Sequence, residues 1–232
     1  MPRAIPPDRF EMLLDVAARV FIEQGYRRTQ MADIAARMGV AKGTVYLYVA
    51  GKEALLHEAL RHADHLEPVP LPEVLPVATP AREETLAMIR SRVATAAGLP
   101  ALERALRRQR VRDIAAELEE VLTETYELLA RHRTAIRLFD ACAADRPEIA
   151  RVWYDIGRRG VAGGLDAYLR ERTRRGRLCR FPDAAVASRL VIETLTFWAV
   201  HRHWDPSPEP FDETSARQTA IAFLVSALAP AG

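Results

Sequence analysis

The sequence predicts an all-α protein in two parts, a small N-terminal helical head and a larger C-terminal helical domain. Three observations carry that reading. Apolar residues recur three and four apart through most of the chain, and no run alternates with the period of two that a strand needs. Glycine and proline fall between these stretches as punctuation, at Gly25, Gly39, Gly98-Leu99-Pro100, Pro147, Gly176 and Pro182. Five prolines crowd into the fourteen residues from Glu67 to Pro80, which therefore cannot form a regular helix and divide the chain.

Bulk composition narrows the class. With 232 residues, 49% hydrophobic and 28% charged, the chain can bury a full core without cross-links. Cys142 and Cys179 are isolated, with no CxxC or metal-type spacing, so a reducing cytoplasm is the expected location. The opening MPRAIPPDRF lacks the apolar core of a signal peptide. The most apolar segment, 186–200, is broken by Arg189 and Glu193 and is too short to span a bilayer, so no membrane partner is expected.

In chain order, residues 1–7 hold three prolines and are expected to be a disordered arm. Asp8 can cap a helix running to about Gln24, with Phe10, Leu13, Leu14, Ala17 and Phe21 as its inner stripe. Gly25 stops it. A helix at Ala32–Met38 places Ile34, Ala35 and Met38 inward, and Gly39 supplies the left-handed exit. A further helix covers Lys42–Val49, with Val45 and Tyr48 inward. A fourth covers Lys52–Leu66, with Leu55, Leu56, Ala59 and Leu60 inward. The proline-rich stretch is expected either as a stiff linker or as a lid on the second domain. Beyond it, helices are expected at 82–97, 101–109, 112–131, 133–144, 147–175, 182–204 and 212–229. The domains follow: a head at 8–66, a connector at 67–80, and a regulatory and dimerisation domain at 81–229. Gly157, Gly160, Gly163 and Gly164 sit within one of these helices, where they soften it and allow tight packing against a neighbour.

The stretch Thr29–Lys52 carries the function. Ala35, Gly39 and Val45 have the small–glycine–aliphatic spacing of a helix-turn-helix, where two helices cross steeply around a sharp turn. Between Gly25 and Lys52 stand five basic residues (Arg27, Arg28, Arg37, Lys42, Lys52) against one acid, Asp33, although the whole chain is only +2. Such a local excess suits a phosphate backbone.

A longer pattern agrees. Gly25-Tyr26, Thr29, Asp33-Ile34-Ala35, Gly39-Val40, Lys42-Gly43-Thr44, Tyr46, Tyr48 and Lys52-Glu53-Ala54-Leu55 resemble the N-terminal domain of the TetR family of transcriptional regulators. Ala41, Leu47 and Val49 depart from that pattern: a serine cap is usual at the first, an aromatic or His at the second and Phe at the third. The resemblance implies a three-helix DNA-binding head and a helical ligand-binding domain. It implies a homodimer that binds double-stranded DNA at a palindromic operator and is released, as a repressor, by a small-molecule effector. It places Thr29, Tyr46, Tyr48 and Lys52 on phosphates, with Lys42, Gly43, Thr44 and Leu47 at base edges and Gln30 among the DNA-facing set. No cofactor is implied.

The final two helices carry apolar residues around nearly their whole circumference, which points to burial on more than one side and hence to a partner subunit. Leu190, Phe197, Phe223 and Leu224 are the expected interface. Tyr126, His132, Phe139, Trp153, Tyr154, Trp198 and His201 supply the mixed aromatic and polar lining of an expected effector pocket. His62 and His65 are three apart but imply no third ligand, so no metal site is expected. No G-x-S-x-G, H-E-x-x-H, P-loop or dinucleotide fingerprint occurs, so no catalytic residue is assigned. Two other readings remain: a dimeric DNA-binding regulator without an effector, and a helical enzyme. Helix four is the expected route from effector to head, through Leu56, Ala59 and Leu60.

Overall fold

A computed structural model describes residues 8–96 and 98–230. The expected arm at residues 1–7 lies outside them, as does Ala97 at the end of the expected helix 82–97. The described residues contain helices and one isolated bridge, and they divide into two compact units. The first comprises Met1–Val93 with Thr134–Tyr154, and the second Ala94–Arg133 with Asp155–Gly232. Proline content divides the chain along its length; packing groups the head with three later helices.

In the first unit, α1 (Asp8–Gln24) has the expected limits and buries the expected stripe. Helix α2 (Met31–Arg37) starts one residue early, because the Gln30 backbone N–H donates to Asp33 Oδ2 at 2.8 Å and closes its first turn. Gly39, at φ +68°, ends that turn in a conformation that strains any residue with a Cβ. Helix α3 (Lys42–Val45) is shorter than the expected 42–49. Past Val45 the amides of Leu47 and Tyr48 reach back three residues, to Thr44 and Val45, and the chain leaves the helix at Val49.

Helix α4 (Lys52–His62) also stops short of the expected Leu66. Asp64 turns out of it at φ 56°, and its carboxylate accepts from the Thr134 and Ala135 amides at 3.0 and 2.8 Å. Those amides open α8 (Arg133–Cys142), so the residue that terminates one helix caps another. Helices α5 (Arg82–Ala96) and α9 (Pro147–Val152) complete the unit. Helix α4 is its spine: Leu55, Leu56, Ala59 and Leu60 are buried. Its His57 Nδ1 pairs with Thr85 Oγ1 of α5 at 2.9 Å, and Arg92 of α5 donates to the carbonyls of Leu60 and Ala63. Glu53, in its first turn, receives Arg146 at 2.5 Å. Burial holds the His57 imidazole below its ordinary value.

The second unit holds α6 (Pro100–Arg107), α7 (Ile114–Arg131), α10 (Arg159–Arg174), α11 (Ala184–Ala199) and α12 (Glu213–Leu228). Helix α7 lies against α11 and α12, with Leu118, Val121, Leu122, Val191 and Leu195 in the core. The expected helix 147–175 is not uniform: a π-helical stretch, Trp153–Arg158, separates α9 from α10. Gly157 is buried within it. Of the neighbouring glycines only Gly164 is closely approached, 3.1 Å from Leu102 Cδ2 to where a Cβ would stand. Gly160 and Gly163 face open space, which corrects the expectation of tight packing along that stripe.

A buried ion pair ties this unit together. Arg172, 1% exposed, donates from Nε to Glu117 Oε1 at 2.7 Å and from its second amine to the Ala105 carbonyl at 2.5 Å. Tyr168 and Arg108 also reach the Glu117 carboxylate. One residue pair thereby links α10, α7 and the end of α6.

On α11 and α12 the apolar surface divides. Val191, Leu195, Ile221 and Leu228 point into the unit, whereas Val186, Leu190, Phe197 and Phe223 are exposed. Leu224 was expected on the outer face and is buried instead, because it shares the inner helical stripe with Ala220, Ile221 and Leu228. The adjacent Phe223 is 68% exposed. Among the described residues no helix is long and apolar enough to cross a membrane, and no cluster of three or more His, Cys, Asp and Glu could hold a metal ion.

Candidate nucleic-acid interface

The head packs the seventeen-residue α1 against two short helices, α2 and α3, and half of the residues of α3 are exposed. Four residues are too few for a helix to persist alone, so α3 is held from behind. Val45 is buried, and Tyr48 stacks on Phe10 of α1 with ring centres 6.2 Å apart. Ala41, which replaces the usual serine, makes no side-chain cap. On the outer side Lys42, Gly43, Tyr46 and Leu47 are exposed and Thr44 is half-buried. The Lys42 ammonium stands 5.9 Å from the Tyr46 ring centre, and nothing lies within 4 Å of the position a Cβ on Gly43 would take. Gln30 is exposed at the start of α2.

Three of the expected DNA contacts point the other way. Thr29 is 1% exposed, and its hydroxyl donates to the Gly25 carbonyl at 2.8 Å. Tyr48 is buried in the stack just described. Lys52 directs its ammonium into the head, to the carbonyls of Tyr26 (2.9 Å), Arg27 (3.3 Å) and Thr29 (2.9 Å). It also lies 4.5 Å from the Tyr26 ring centre. An ammonium has three donors, and all three are engaged here. Lys52 thus closes the α1–α2 loop. Spacing does not reveal this, because a lysine at a basic surface and a lysine tying a loop occupy the same position in the pattern.

The same corner contains ties that sequence reasoning missed. Tyr26 donates to Glu53 Oε1 at 2.6 Å, and Glu53 also receives Arg146 of the α8–α9 turn. Burial, then the Glu53 carboxylate, hold the Tyr26 phenol well above its ordinary value. Burial opposes the Arg146 charge, but Glu53 and Glu148 outweigh it and raise Arg146 further. Asp145 Oδ2 accepts the Arg27 amide at 2.8 Å. The α8–α9 turn therefore grips the loop that leads into α2 and the first turn of α4.

The seven residues expected to line an effector pocket fall in both units. Phe139 and Trp153 stack at 5.2 Å in the first, with Tyr154 next in sequence. Trp153 Nε1 is buried without an acceptor. Tyr126, His132, Trp198 and His201 belong to the second. There the Tyr126 hydroxyl donates to the Trp198 carbonyl and to Glu213, each at 3.2 Å, and Arg133 and Arg202 also pair with Glu213. Three clefts within the units, of about 400, 180 and 290 Å³, are lined by other residues.

A short recognition helix presented on a three-helix head defines a helix-turn-helix regulatory protein. Comparison with known proteins agrees. Residues 13–59 match the family model for bacterial regulatory proteins of the tetR family, and residues 116–227 match that for the C-terminal domain of AefR-like transcriptional repressors. The chain belongs to the tetR family of bacterial regulatory proteins. Over 48 residues it is 42% identical to the fatty acid metabolism regulator protein of Bacillus subtilis, a match covering 21% of this chain and 25% of that protein. Over 49 residues it is 43% identical to the HTH-type transcriptional repressor KstR2 of Rhodococcus jostii, covering 21% and 24%. The match thus spans about a quarter of the length of these curated relatives. The solved structure of the ketosteroid transcriptional regulator KstR2 of Mycobacterium tuberculosis shares the fold, with a TM-score of 0.57 at 17% identity over 96% of each chain. A tetR-family regulatory protein from Rhodococcus RHA1 does so with a TM-score of 0.53 at 19% identity, over 96% of this chain and 97% of that one.

Proposed function

We propose that this protein is a dimeric transcriptional repressor that reads a palindromic DNA operator through α3 and leaves it when a small molecule binds. The observation that carries the reading is the division of labour in the head. Lys42, Gly43, Tyr46 and Leu47 face outward, with Thr44 half-buried, on α3 and the turn after it, which Val45 and Tyr48 hold from within, while Thr29 and Lys52 close the α1–α2 loop beside them. In this reading Lys42 and Gly43 enter the major groove first, Leu47 touches a thymine methyl, and Tyr46 and Gln30 meet the backbone. Thr29, Tyr48 and Lys52 position that surface.

Two copies joined through the exposed apolar residues Leu190, Phe197 and Phe223 would present two such helices to grooves about 34–36 Å apart, or a multiple of that. Release needs a ligand that binds one arrangement of the heads more tightly than the other. Helix α4 is suited to carry it, since α8 and α9 hold both its ends, through Arg146–Glu53 and through the Asp64 cap. Phe139 and Trp153, with its unmatched N–H, stand on those same two elements or directly after them. The curated relatives match over only 48 and 49 residues, so their names leave the effector class open.

The test is selection of duplexes from a random-sequence library on the full-length protein. A palindromic site bound by two protomers is expected. Lys42→Ala should then change preference at one or two base pairs, by about 1–3 kcal/mol each. Equal loss on selected and scrambled duplexes would remove Lys42 as a base reader, and recovery of no preferred sequence would overturn the reading as a whole.

A further inference from the structure

The proline-rich connector is docked on the head at two places. At the first, Glu11 of α1 accepts from His65 Nε2 and from the Val69 amide, both at 3.1 Å, and Val69 is buried. At the second, the Val77 amide donates to the Tyr48 carbonyl at 2.8 Å, and the Val77 carbonyl accepts the Ala50 amide at 2.9 Å. Val49 and Val77 thus form a parallel bridge. The segment between the anchors contains Pro70, Pro72 and Pro76, which limit its freedom before docking as well as after. The sequence leaves a stiff linker or a lid on the second domain open; the observed bonds make the connector a strap on the head.

The second anchor falls where the head is least self-supporting. Tyr48, Val49 and Ala50 form the turn between α3 and α4, immediately after the helix proposed to enter the groove. That helix has four residues and no side-chain cap. Past Val45 the amides of Leu47 and Tyr48 reach back three residues and that of Val49 reaches back four, to Val45 at 3.3 Å, before the Tyr48 carbonyl and Ala50 amide are taken by Val77. Leu47 and Tyr46, the last outward residues of the reading surface, are two and three positions from Val49 of that bridge.

We propose that Val77 is a positioning residue for DNA reading: its two backbone hydrogen bonds fix the exit of the recognition helix, and specific DNA affinity requires the strap to be docked. This rests on the DNA-binding reading above. Nothing in Val77 touches DNA, so its effect passes through the register of Tyr46 and Leu47. It should fall on sequence preference, while cations outside the turn preserve the non-specific, salt-dependent attraction. The side chain matters little, because both bonds are made by the backbone.

The experiment compares Val77→Pro, which removes the donor to Tyr48, with Val77→Ala, which keeps both bonds. Each is measured on the duplex selected above and on a scrambled duplex, at several salt concentrations. The expected result is a loss of about tenfold in the selected-to-scrambled ratio for Val77→Pro, the order of one lost hydrogen bond. The salt slope should be unchanged, and Val77→Ala should stay close to the parent chain. Parent-like specificity in a folded Val77→Pro overturns the proposal, as does an equal loss in Val77→Ala. A second measurement needs no variant and no DNA. Amide hydrogen exchange of the parent protein should show Ala50 protected well beyond its exposure, and exchange at the unprotected rate would show that the strap is not docked. If the parent protein selects no sequence, the DNA reading fails, and the Ala50 amide still decides whether the strap exists.

Discussion

The two units are held together by different means. In the first, elements far apart in sequence are joined by polar ties at the edge of the core: Arg146 to Glu53, Asp64 to the start of α8, His57 to Thr85, and Glu11 to His65 and Val69. Most of these groups keep some contact with water, so each tie contributes modestly and can be exchanged for hydration. In the second unit the main polar tie is Arg172–Glu117, with both side chains 1% exposed. A buried pair stabilises little against an apolar substitute but is costly to break from one side. The difference suits a first unit that must rearrange in small steps and a second that holds its helices in one arrangement.

The largest effect is therefore expected in the second unit. Arg172→Ala leaves the Glu117 carboxylate buried with only Arg108 and the Tyr168 hydroxyl as partners, and should cost about 3–5 kcal/mol, visible as a fall of about 10 °C in melting temperature. Replacing both partners by methionine should restore much of that loss. If the double replacement is as damaging as the single one, the pair stabilises in its own right and the contrast between the units weakens.

A smaller effect is expected at Arg146, whose guanidinium bridges Glu53 at 2.5 Å and Glu148 at 2.8 Å. Arg146→Gln should cost about 1 kcal/mol in thermal unfolding, since Glu53 can turn to solvent when the arginine is gone. A cost equal to that of Arg172→Ala would mean that the first unit is held as rigidly as the second.

The smallest effect concerns acid. Burial keeps His57 neutral in the folded chain, while the unfolded chain takes up its proton near the ordinary value of about 6.5. Stability from this residue is therefore present above about pH 6.5 and lost as the pH falls below it, because the unfolded state then binds more protons. His65 has the opposite sign. Burial pulls it down, but Glu11 and the His62 carbonyl outweigh that and hold it above the ordinary value. His57→Gln should flatten the loss of melting temperature between about pH 7 and about pH 5.5, and an unchanged profile would assign the acid response elsewhere.

Much of this was legible in the residues. The limits of α1, the turn at Gly39, the inward Val45 and Tyr48 and the existence of the later helices follow from apolar spacing, glycine and proline. The ties were not legible. Lys52 and Thr29 look like surface residues of a basic segment, and what turns them inward is a set of backbone carbonyls; Tyr48 is inward by spacing, although the family pattern places it on phosphate. Leu224 and Phe223 are equally apolar, and only the rotation of α12 on α7 separates them. The strap was hidden for a related reason. Prolines announce where a helix cannot be, but the partner of the Val77 amide is a carbonyl, and every residue has one.

Lys42 and Lys52 are the only lysines in the sequence. One has its ammonium outside, beside Tyr46, and the other has all three donors engaged by carbonyls. An amine-selective reagent therefore meets two side chains of unequal reactivity, both in the head. Modification at Lys42 would report whether the reading surface is free or occupied, and slow modification at Lys52 would report opening of the loop beneath it, so two signals from one reagent separate release of DNA from loosening of the head.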